Sequence, residues 1–376
     1  MLITTDEQMR EFVNRASQAP VVAVDTEFVR ERHYFPRLCL VQLGTEDEQV
    51  AIDPFAITDT EPLVRLFRDP NVVKVFHACS QDMEVLLRFL GVLPHPVFDT
   101  QLAASYLGDR CQIGYGHLVG EYCHVRLPKT EAMTDWAARP LDAAQLAYAL
   151  DDVKYLPSIW RTMTKELEER GRTEWVLPEF ERATDPATYL RDPREAYRKV
   201  KRIGTLTRRQ LATARELAAW REHRAMELDL PRRSVLSDEL LVDLARVAPT
   251  DMRALMRIRG TDSFSAEERA QLVAACAAGL ACPEAGCPET DRHAHPSLDE
   301  ESVGDLMYAL TRLVAEQLEV APSVLASRED LVMFSERREG SPLSIGWRYE
   351  VLGRHLEDLL EGRSGLTVKD GRVELL

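Results

Sequence analysis

Three short apolar segments follow one another between residues 20 and 53: PVVAVDTE at 20–27, RLCLVQLG at 37–44 and EQVAID at 48–53. Each is bounded by polar, proline or glycine residues, which is typical of β-strands. Segments with strand and helix patterns then alternate up to about residue 108. Three consecutive strands followed by this alternation predict a mixed sheet covered by helices, which is an α/β domain.

The rest of the chain has a helical pattern. Residues 142–170 keep a helical period, with Pro157 as an expected break, and helical segments resume at Leu298 after a polar, proline-rich stretch. A chain of 376 residues is also too long for one ordinary core. We therefore expect an α/β domain at 1–175, a linker at 176–206, a helical domain at 207–282, a second linker at 283–297 and a second helical domain at 298–376.

The net charge of −15 at pH 7 disfavours non-specific binding of phosphates by the molecule as a whole. The charge is unevenly distributed, however. Residues 191–233 hold 13 lysines and arginines against six aspartates and glutamates, a charge of +7, whereas the rest of the chain carries −22. This basic segment is therefore a candidate for contact with nucleic acid.

Cysteine usage and hydropathy indicate the compartment. Seven cysteines, an odd number, favour free thiols in a reducing environment over a disulfide framework. No segment approaches the roughly 18 consecutive apolar residues of a membrane helix, and the polar N-terminus lacks the apolar core of a signal peptide. We expect a cytoplasmic protein that makes no contact with membranes.

Two acids, Asp25 and Glu27, follow the apolar half of the first strand in VVAVDTEF. Residues i and i+2 of a strand lie on one face, with Cα atoms about 6.6 Å apart. The two carboxylates can therefore converge on a single cation. An isolated pair of this kind is more often the solvated end of a strand.

Two further arrangements add acids to this pattern. In AYALDDVKY, Tyr148 and Asp152 are four residues apart on a predicted helix, so that a phenol hydroxyl can stand beside a carboxylate. In KVFHACSQDMEVL, Asp82 lies in the first turn of a predicted helix, where an acid commonly complements the helix dipole. Each arrangement alone has an ordinary structural explanation.

Together, VVAVDTEF, FHACSQDMEVL and YALDDVKYL resemble the three motifs of the four-acid DEDD 3′–5′ exonucleases, in the branch that carries a tyrosine. The segments LCLVQLG, VFDTQLAASYLG and TDWAARPL also resemble this group, and the chain is similar to the ribonuclease D family within it. The residue at the position that would indicate the histidine branch is Ala147. The resemblance implies a ribonuclease H-like mixed sheet with flanking helices, followed by two small all-α domains.

The resemblance also implies the site. Two divalent ions about 3.5–4 Å apart can neutralise the charge that develops when a phosphodiester is hydrolysed. Carboxylates suit hard Mg²⁺ or Mn²⁺ better than zinc, and we expect no organic cofactor. The Tyr-x-x-x-Asp spacing selects Asp152 over the adjoining Asp151. The implied metal-binding residues are Asp25, Glu27, Asp82 and Asp152, and the implied residue that orients the attacking water is Tyr148.

Residues 207–282 resemble the HRDC domain, and residues 298–376 resemble the second, divergent copy found in ribonuclease D. In this context the basic residues near and within the first copy are expected to hold substrate phosphates, with a solvated basic face as the alternative. The candidates are Arg198, Lys199, Lys201, Arg202, Arg208, Arg209, Arg232 and Arg233.

A group of possible zinc ligands lies in the second linker. Cys282, Cys287, His293 and His295 supply suitable ligand atoms, but their spacing matches no common zinc finger. A plain linker is the favoured interpretation.

The leading hypothesis for function is a metal-dependent 3′–5′ exoribonuclease that releases nucleoside 5′-monophosphates. The resemblance implies the single-stranded 3′ tails of structured RNA, tRNA precursors among them, as substrates. A DNA exonuclease of the Werner type is one alternative, because it shares the four acids and the HRDC association. A non-catalytic scaffold that binds nucleic acid is the other.

Overall fold

The computed structural model describes residues 1–108, 111–128, 135–190, 192–289 and 297–376. The chain divides into two compact units. The first contains the α/β part together with the C-terminal helices, and the second contains the helices between them and one loop of the sheet. Unit 1 comprises Met1–Glu27, Leu38–Pro186 and Pro296–Leu376, and unit 2 comprises Phe28–Arg37 and Ala187–His295.

Unit 1 is built on a six-stranded sheet with the strand order β1-β4-β3-β2-β5-β6. Strand β4 is antiparallel to β3 and parallel to β1, whereas β5 is parallel to both β2 and β6. The prediction of a mixed sheet is therefore confirmed. The strands are β1 (Leu2–Ile3), β2 (Val21–Val29), β3 (Arg37–Gly44), β4 (Gln49–Ile52), β5 (Val73–Phe76) and β6 (Val97–Asp99).

Helices connect these strands and continue after the last one. Residues 21–24 of β2 are all buried, which explains why the first half of this strand is apolar at every position. Pro157 lies in the first turn of a new helix, so the predicted break is confirmed. The helices are α1 (Asp6–Ala16), α2 (Glu61–Arg68), α3 (Ser80–Leu90), α4 (Thr100–Leu107), α5 (Tyr115–Cys123), α6 (Ala143–Lys154), α7 (Leu156–Glu169) and α8 (Thr173–Ala183).

The C-terminal helices of unit 1 have a core of their own, formed around Met307, Leu310 and Leu352. They also pack on α8, because the Trp347 ring stacks on the Trp175 ring with centroids 4.5 Å apart. Their elements are α14 (Leu298–Gln317), α15 (Pro322–Leu325), α16 (Arg328–Ser335), α17 (Gly346–Arg348), a π turn (Tyr349–Gly353) and α18 (Arg354–Leu360), followed by the hairpin β7 (Leu366–Lys369) and β8 (Arg372–Leu375).

Unit 2 is a small helical bundle. Its two longest helices approach so closely that a Cβ atom at Gly279 would lie 2.3 Å from the Cα of Thr213, which requires glycine at this crossing. Leu217, Leu241 and Leu255 lie in its apolar core. The helices are α9 (Arg208–Leu228), α10 (Arg232–Val235), α11 (Asp238–Val247), α12 (Met252–Leu255) and α13 (Ala266–Ala281).

The segment Phe28–Arg37, which connects β2 to β3, belongs to unit 2. The Tyr34 hydroxyl donates a hydrogen bond of 2.7 Å to Glu222, and the His33 Nδ1 atom lies 2.8 Å from Asp229. Polar contacts to α9 and its C-terminal cap therefore fix this connection.

Neither a membrane span nor a disulfide is part of the described structure. No helix in the described ranges is long and apolar enough to cross a membrane. All seven cysteines are free thiols.

Candidate active site

The end of β2 supplies two carboxylates to one point. Asp25 and Glu27 follow the four buried residues of the strand, and both are partly buried. Asp152 of α6 joins them, so that carboxylate oxygens of all three residues lie within 4.8 Å of one another. The structure therefore brings together three of the four acids that the sequence predicts.

Helix α6 presents Asp152 and Tyr148 on the same face. The helix starts at a capping box formed by Asp142 and Gln145, and its adjacent face buries Ala149 and Val153. The Tyr148 hydroxyl donates a hydrogen bond to the Asp152 carboxylate, and 37% of Tyr148 is exposed. The phenol is thus both held by an acid of the cluster and accessible to a substrate.

Asp82 lies in the first turn of α3 and is 7% exposed. Its carboxylate accepts a hydrogen bond from the Thr26 hydroxyl, and repulsion from Asp25 reaches it. Among the described residues it lies outside the group of three converging acids. Asp82 therefore borders the cluster. Its hydrogen bond with Thr26 connects it to β2, the strand that carries Asp25 and Glu27.

Burial and mutual repulsion disfavour negative charge throughout this cluster. Burial, then repulsion from Asp152, raises the pKa of Asp25 to about 8, and burial, then repulsion from Asp25, raises the pKa of Glu27 to about 9. Burial also raises the pKa of Asp152 to about 7 and that of Asp82 above its usual range. Divalent cations would relieve this repulsion, and a set of carboxylate oxygens suits Mg²⁺ or Mn²⁺.

Asp151 has a different environment from Asp152. The Asp151 carboxylate lies 4.0 Å from the Lys154 ammonium, and its backbone carbonyl accepts a hydrogen bond of 2.8 Å from the Tyr115 hydroxyl. Of the two neighbouring aspartates, Asp152 is the one that converges with Asp25 and Glu27.

Two residues that the sequence analysis did not single out support the acids. Gln42 of β3 is fully buried, and its Nε2 atom donates a hydrogen bond of 3.4 Å to Asp25. Tyr115 holds the backbone of α6 immediately before Asp152. A polar residue inside the apolar segment LCLVQLG was the one available signal for Gln42, and Tyr115 gave none.

Five of the eight predicted RNA-binding residues have internal partners, and four of these five lie on α9 or α10. Arg208 and Arg209 donate hydrogen bonds to backbone carbonyls of residues 280–287, at the end of α13 and just after it. Arg232 pairs with Glu222 at 2.6 Å, and Arg233 pairs with Asp238 at 3.2 Å.

The other four predicted RNA-binding residues are exposed, as are Arg208, Arg232 and Arg233, and one of these four is also paired. Arg198 pairs with Glu195 at 2.5 Å. Lys199, Lys201 and Arg202 are exposed.

The possible zinc ligands are described only in part. The Cys282 and Cys287 thiols each lie 3.5 Å from the Pro283 carbonyl oxygen, and Arg215 donates to the Cys282 sulfur at 3.4 Å. His293 and His295 lie outside the described residues. Both thiols thus contact their own loop, and the Cys282 sulfur also contacts α9.

Comparison with known proteins gives two domain matches and full-length relatives. Residues 1–168 match a family model described as a 3′-5′ exonuclease, and residues 210–276 match the HRDC domain. The chain is 41% identical to the ribonuclease D of Sphingobium indicum, with 100% of this chain and 98% of that protein covered. The chain belongs to the ribonuclease D family. It is also 40% identical to the ribonuclease D of Gluconacetobacter diazotrophicus, with 100% of this chain and 96% of that protein covered.

The fold is similar to a solved structure of the same family. The crystal structure of Escherichia coli RNase D, described as an exoribonuclease involved in structured RNA processing, superposes with a TM-score of 0.83 at 32% identity. The match covers 96% of this chain and 98% of that one. As a ribonuclease D, the chain is a 3′–5′ exoribonuclease that hydrolyses RNA and uses divalent metal ions. The leading hypothesis from the sequence is confirmed over the DNA exonuclease and the scaffold.

Proposed function

We propose that this ribonuclease D family member trims the single-stranded 3′ tails of structured RNA, with tRNA precursors as the principal class. The similarity to E. coli RNase D, which is described as acting in structured RNA processing, supports this substrate class. Each cycle consumes one water molecule. The water oxygen bonds to phosphorus, the bond from phosphorus to the 3′ oxygen breaks, and a nucleoside 5′-monophosphate leaves while the shortened RNA keeps a 3′ hydroxyl.

The convergence of Asp25, Glu27 and Asp152 within 4.8 Å is the observation that carries the catalytic part of this proposal. Together with Asp82, these residues would hold two divalent ions, Mg²⁺ or Mn²⁺. Such ions, when bound, lower the pKa of a coordinated water and neutralise the charge on the attacking and leaving oxygens. The raised pKa values of the four acids fit this role, because bound cations would stabilise the ionised carboxylates.

Tyr148 is proposed to position the attacking water. Burial raises the pKa of this phenol, and repulsion from Asp152 and Glu27 adds to the effect. The hydroxyl therefore stays protonated at neutral pH and can donate a hydrogen bond. Its hydrogen bond to Asp152 orients the phenol toward the acid cluster, where it would hold a water in line with the scissile phosphorus.

The basic residues divide into two proposed groups. Arg198, Lys199, Lys201 and Arg202 remain candidates for contact with substrate phosphates, since all four are exposed and the partner of Arg198, Glu195, is itself a surface residue. The internal partners of Arg208, Arg209, Arg232 and Arg233 support a structural role for these four.

The cytoplasm is the proposed compartment. The seven free thiols, three of which are at least partly accessible, suit a reducing environment.

A time course on RNA labelled at the 5′ end tests the catalytic assignment. Wild type, Asp25→Asn and Tyr148→Phe are compared on single-stranded RNA and on DNA of the same sequence, with Mg²⁺, Mn²⁺ or a chelator. We expect a metal-dependent ladder that shortens from the 3′ end of RNA, no ladder for Asp25→Asn, and a rate about 100-fold lower for Tyr148→Phe because the water is misplaced.

The matched control is Tyr155→Phe, which removes a hydroxyl from the residue that follows α6. It should cleave at the wild-type rate. A wild-type ladder from Asp25→Asn would contradict the catalytic assignment. The substrate class is tested by comparing the cleavage rates of tRNA precursors with and without a 3′ tail, which should be unequal.

A further inference from the structure

The arginines of unit 2 differ in what surrounds their guanidinium groups. Most of those in the basic segment at 191–233 are engaged by carboxylates or carbonyls of the same unit. These contacts include Arg194 with Glu216, Arg215 with the Gly286 carbonyl, Arg221 with Asp238, Arg224 with Glu268 and Arg232 with Glu222. The local excess of positive charge in the sequence is therefore largely used to hold the helices together.

A second group of arginines lies outside that segment, on and just after α12. Arg253, Arg257 and Arg259 are exposed, and within the described ranges none of them forms a hydrogen bond or an ion pair through its side chain. Met252 and Met256 beside them are 41% and 46% exposed. We call these five residues the α12 patch.

The α12 patch stands on a fixed backbone. Leu255 is fully buried, and Ile258 packs against the same core. The buried Thr261 hydroxyl donates to the Leu255 and Ile258 carbonyls at 3.1 and 2.8 Å, and Arg269 in turn donates to the Thr261 carbonyl at 3.0 Å. Leu255 and Ile258 thus anchor this segment in the core while its arginines and methionines stay exposed, which is a preorganised arrangement rather than a loose basic tail.

Acids near the α12 patch leave it positively charged. Asp251 is the N-cap of α12, and its carboxylate accepts a hydrogen bond from the Ala254 amide at 2.8 Å. Glu268 caps α13 and pairs with Arg224. Residues 251–262 hold three arginines and two aspartates, so the local charge is +1.

We propose that the α12 patch is a binding surface for the single-stranded RNA substrate. This inference rests on the proposed function. The three guanidinium groups would contact successive phosphates, because arginine pairs with phosphate oxygens through two parallel hydrogen bonds. Met252 and Met256 would lie against bases, since thioether side chains adapt to flat apolar surfaces of varied shape. Such contacts are independent of base sequence, as trimming of varied 3′ tails requires.

The test compares a triple variant with a control that changes the net charge equally. The variant is Arg253→Gln, Arg257→Gln and Arg259→Gln in the full chain. The control is Arg312→Gln, Lys369→Gln and Arg372→Gln, which removes three exposed cations from unit 1. Affinity for a 20-nucleotide single-stranded RNA is measured by fluorescence anisotropy at several salt concentrations, with chelator present to prevent cleavage.

We expect the triple variant to bind RNA at least tenfold more weakly than the control. The slope of log K against log salt should fall by roughly 0.7 for each lost phosphate contact, or about 2 in total. Equal affinity and slope for variant and control would overturn the proposal. The proposal would also be overturned if the triple variant bound RNA normally but failed to bind an acidic protein, because the α12 patch would then serve a protein partner.

A substrate that needs only the active site separates this proposal from the proposed function. Both triple variants should hydrolyse the p-nitrophenyl ester of a nucleoside 5′-monophosphate at the wild-type rate. If the wild-type enzyme itself neither binds nor shortens RNA, the proposed function fails. If the wild type shortens RNA and the patch variant binds it normally, the α12 patch proposal alone fails.

Discussion

At the scale of single residues, the proposed active site is a set of acids that the fold brings together. Asp25 and Glu27 share a face because strand side chains alternate, and that geometry could be predicted from the sequence. Convergence with Asp152 could be inferred only through resemblance, because it depends on how α6 packs on the sheet. The support that Gln42 gives to Asp25 was not predicted, since a single polar residue in an apolar strand carries no partner information.

The raised pKa values make a prediction about stability without metal. A carboxyl group whose pKa is higher in the folded state binds its proton more tightly there than in the unfolded chain. Its contribution to stability is complete below the unfolded value, 3.8 for Asp25, and is lost as the pH rises through the folded value of about 8. Glu27 extends the loss to about pH 9. In chelator, wild type should therefore become less stable than Asp25→Asn as the pH rises from 5 to 9.

Urea unfolding of both proteins at pH 5, 7 and 9 measures this difference. Mg²⁺ or Mn²⁺ should stabilise wild type most at pH 9, where the carboxylates are ionised and repel one another. If the free energies of unfolding of wild type and Asp25→Asn in chelator changed with pH in parallel, Asp25 would not titrate in this way.

At the scale of elements, the hydrophobic pattern predicted five of the six strands of the sheet and the break between α6 and α7, but it missed the two-residue strand β1. Charge counting along the chain was less informative. The carbonyl partners of Arg208 and Arg209 come from α13 and the turn that follows it, about 70 residues away in sequence. A local count of charges therefore could not distinguish a structural arginine from one that is free to bind phosphate.

Arg232 provides a test of this distinction. Glu222 is 3% exposed and is shared between Arg232 and the Tyr34 hydroxyl, so Arg232→Ala leaves a buried carboxylate with one partner fewer. We expect a loss of about 1–3 kcal/mol in the free energy of unfolding of unit 2, measured by urea denaturation.

The matched control for Arg232 is Arg202→Ala, which removes an exposed side chain of the same unit and should leave stability unchanged. Affinity for single-stranded RNA, measured on the folded proteins, should be the same for Arg232→Ala and wild type. A large loss of RNA affinity with unchanged stability would return Arg232 to the phosphate-binding group.

At the scale of the whole molecule, long-range contacts decide how the segments group. The sequence predicts helices from Leu298 onward, but their inclusion in the unit that contains the sheet depends on contacts such as Trp347 with Trp175 and Arg348 with Glu179. These partners are separated by about 170 residues. Likewise, the segment Phe28–Arg37 begins immediately after Glu27 of β2 but is grouped with the helices of unit 2. Neither grouping leaves a periodic signal in the sequence.

The central claim is that the converging acids are a site for two divalent ions. The most direct measurement is calorimetric titration of the metal-free protein with Mn²⁺, for wild type, Asp25→Asn and Tyr148→Phe. The account predicts two ions for wild type and for Tyr148→Phe, and at most one weakly bound ion for Asp25→Asn. Unchanged stoichiometry and affinity in Asp25→Asn would contradict it, because the ions would then bind elsewhere.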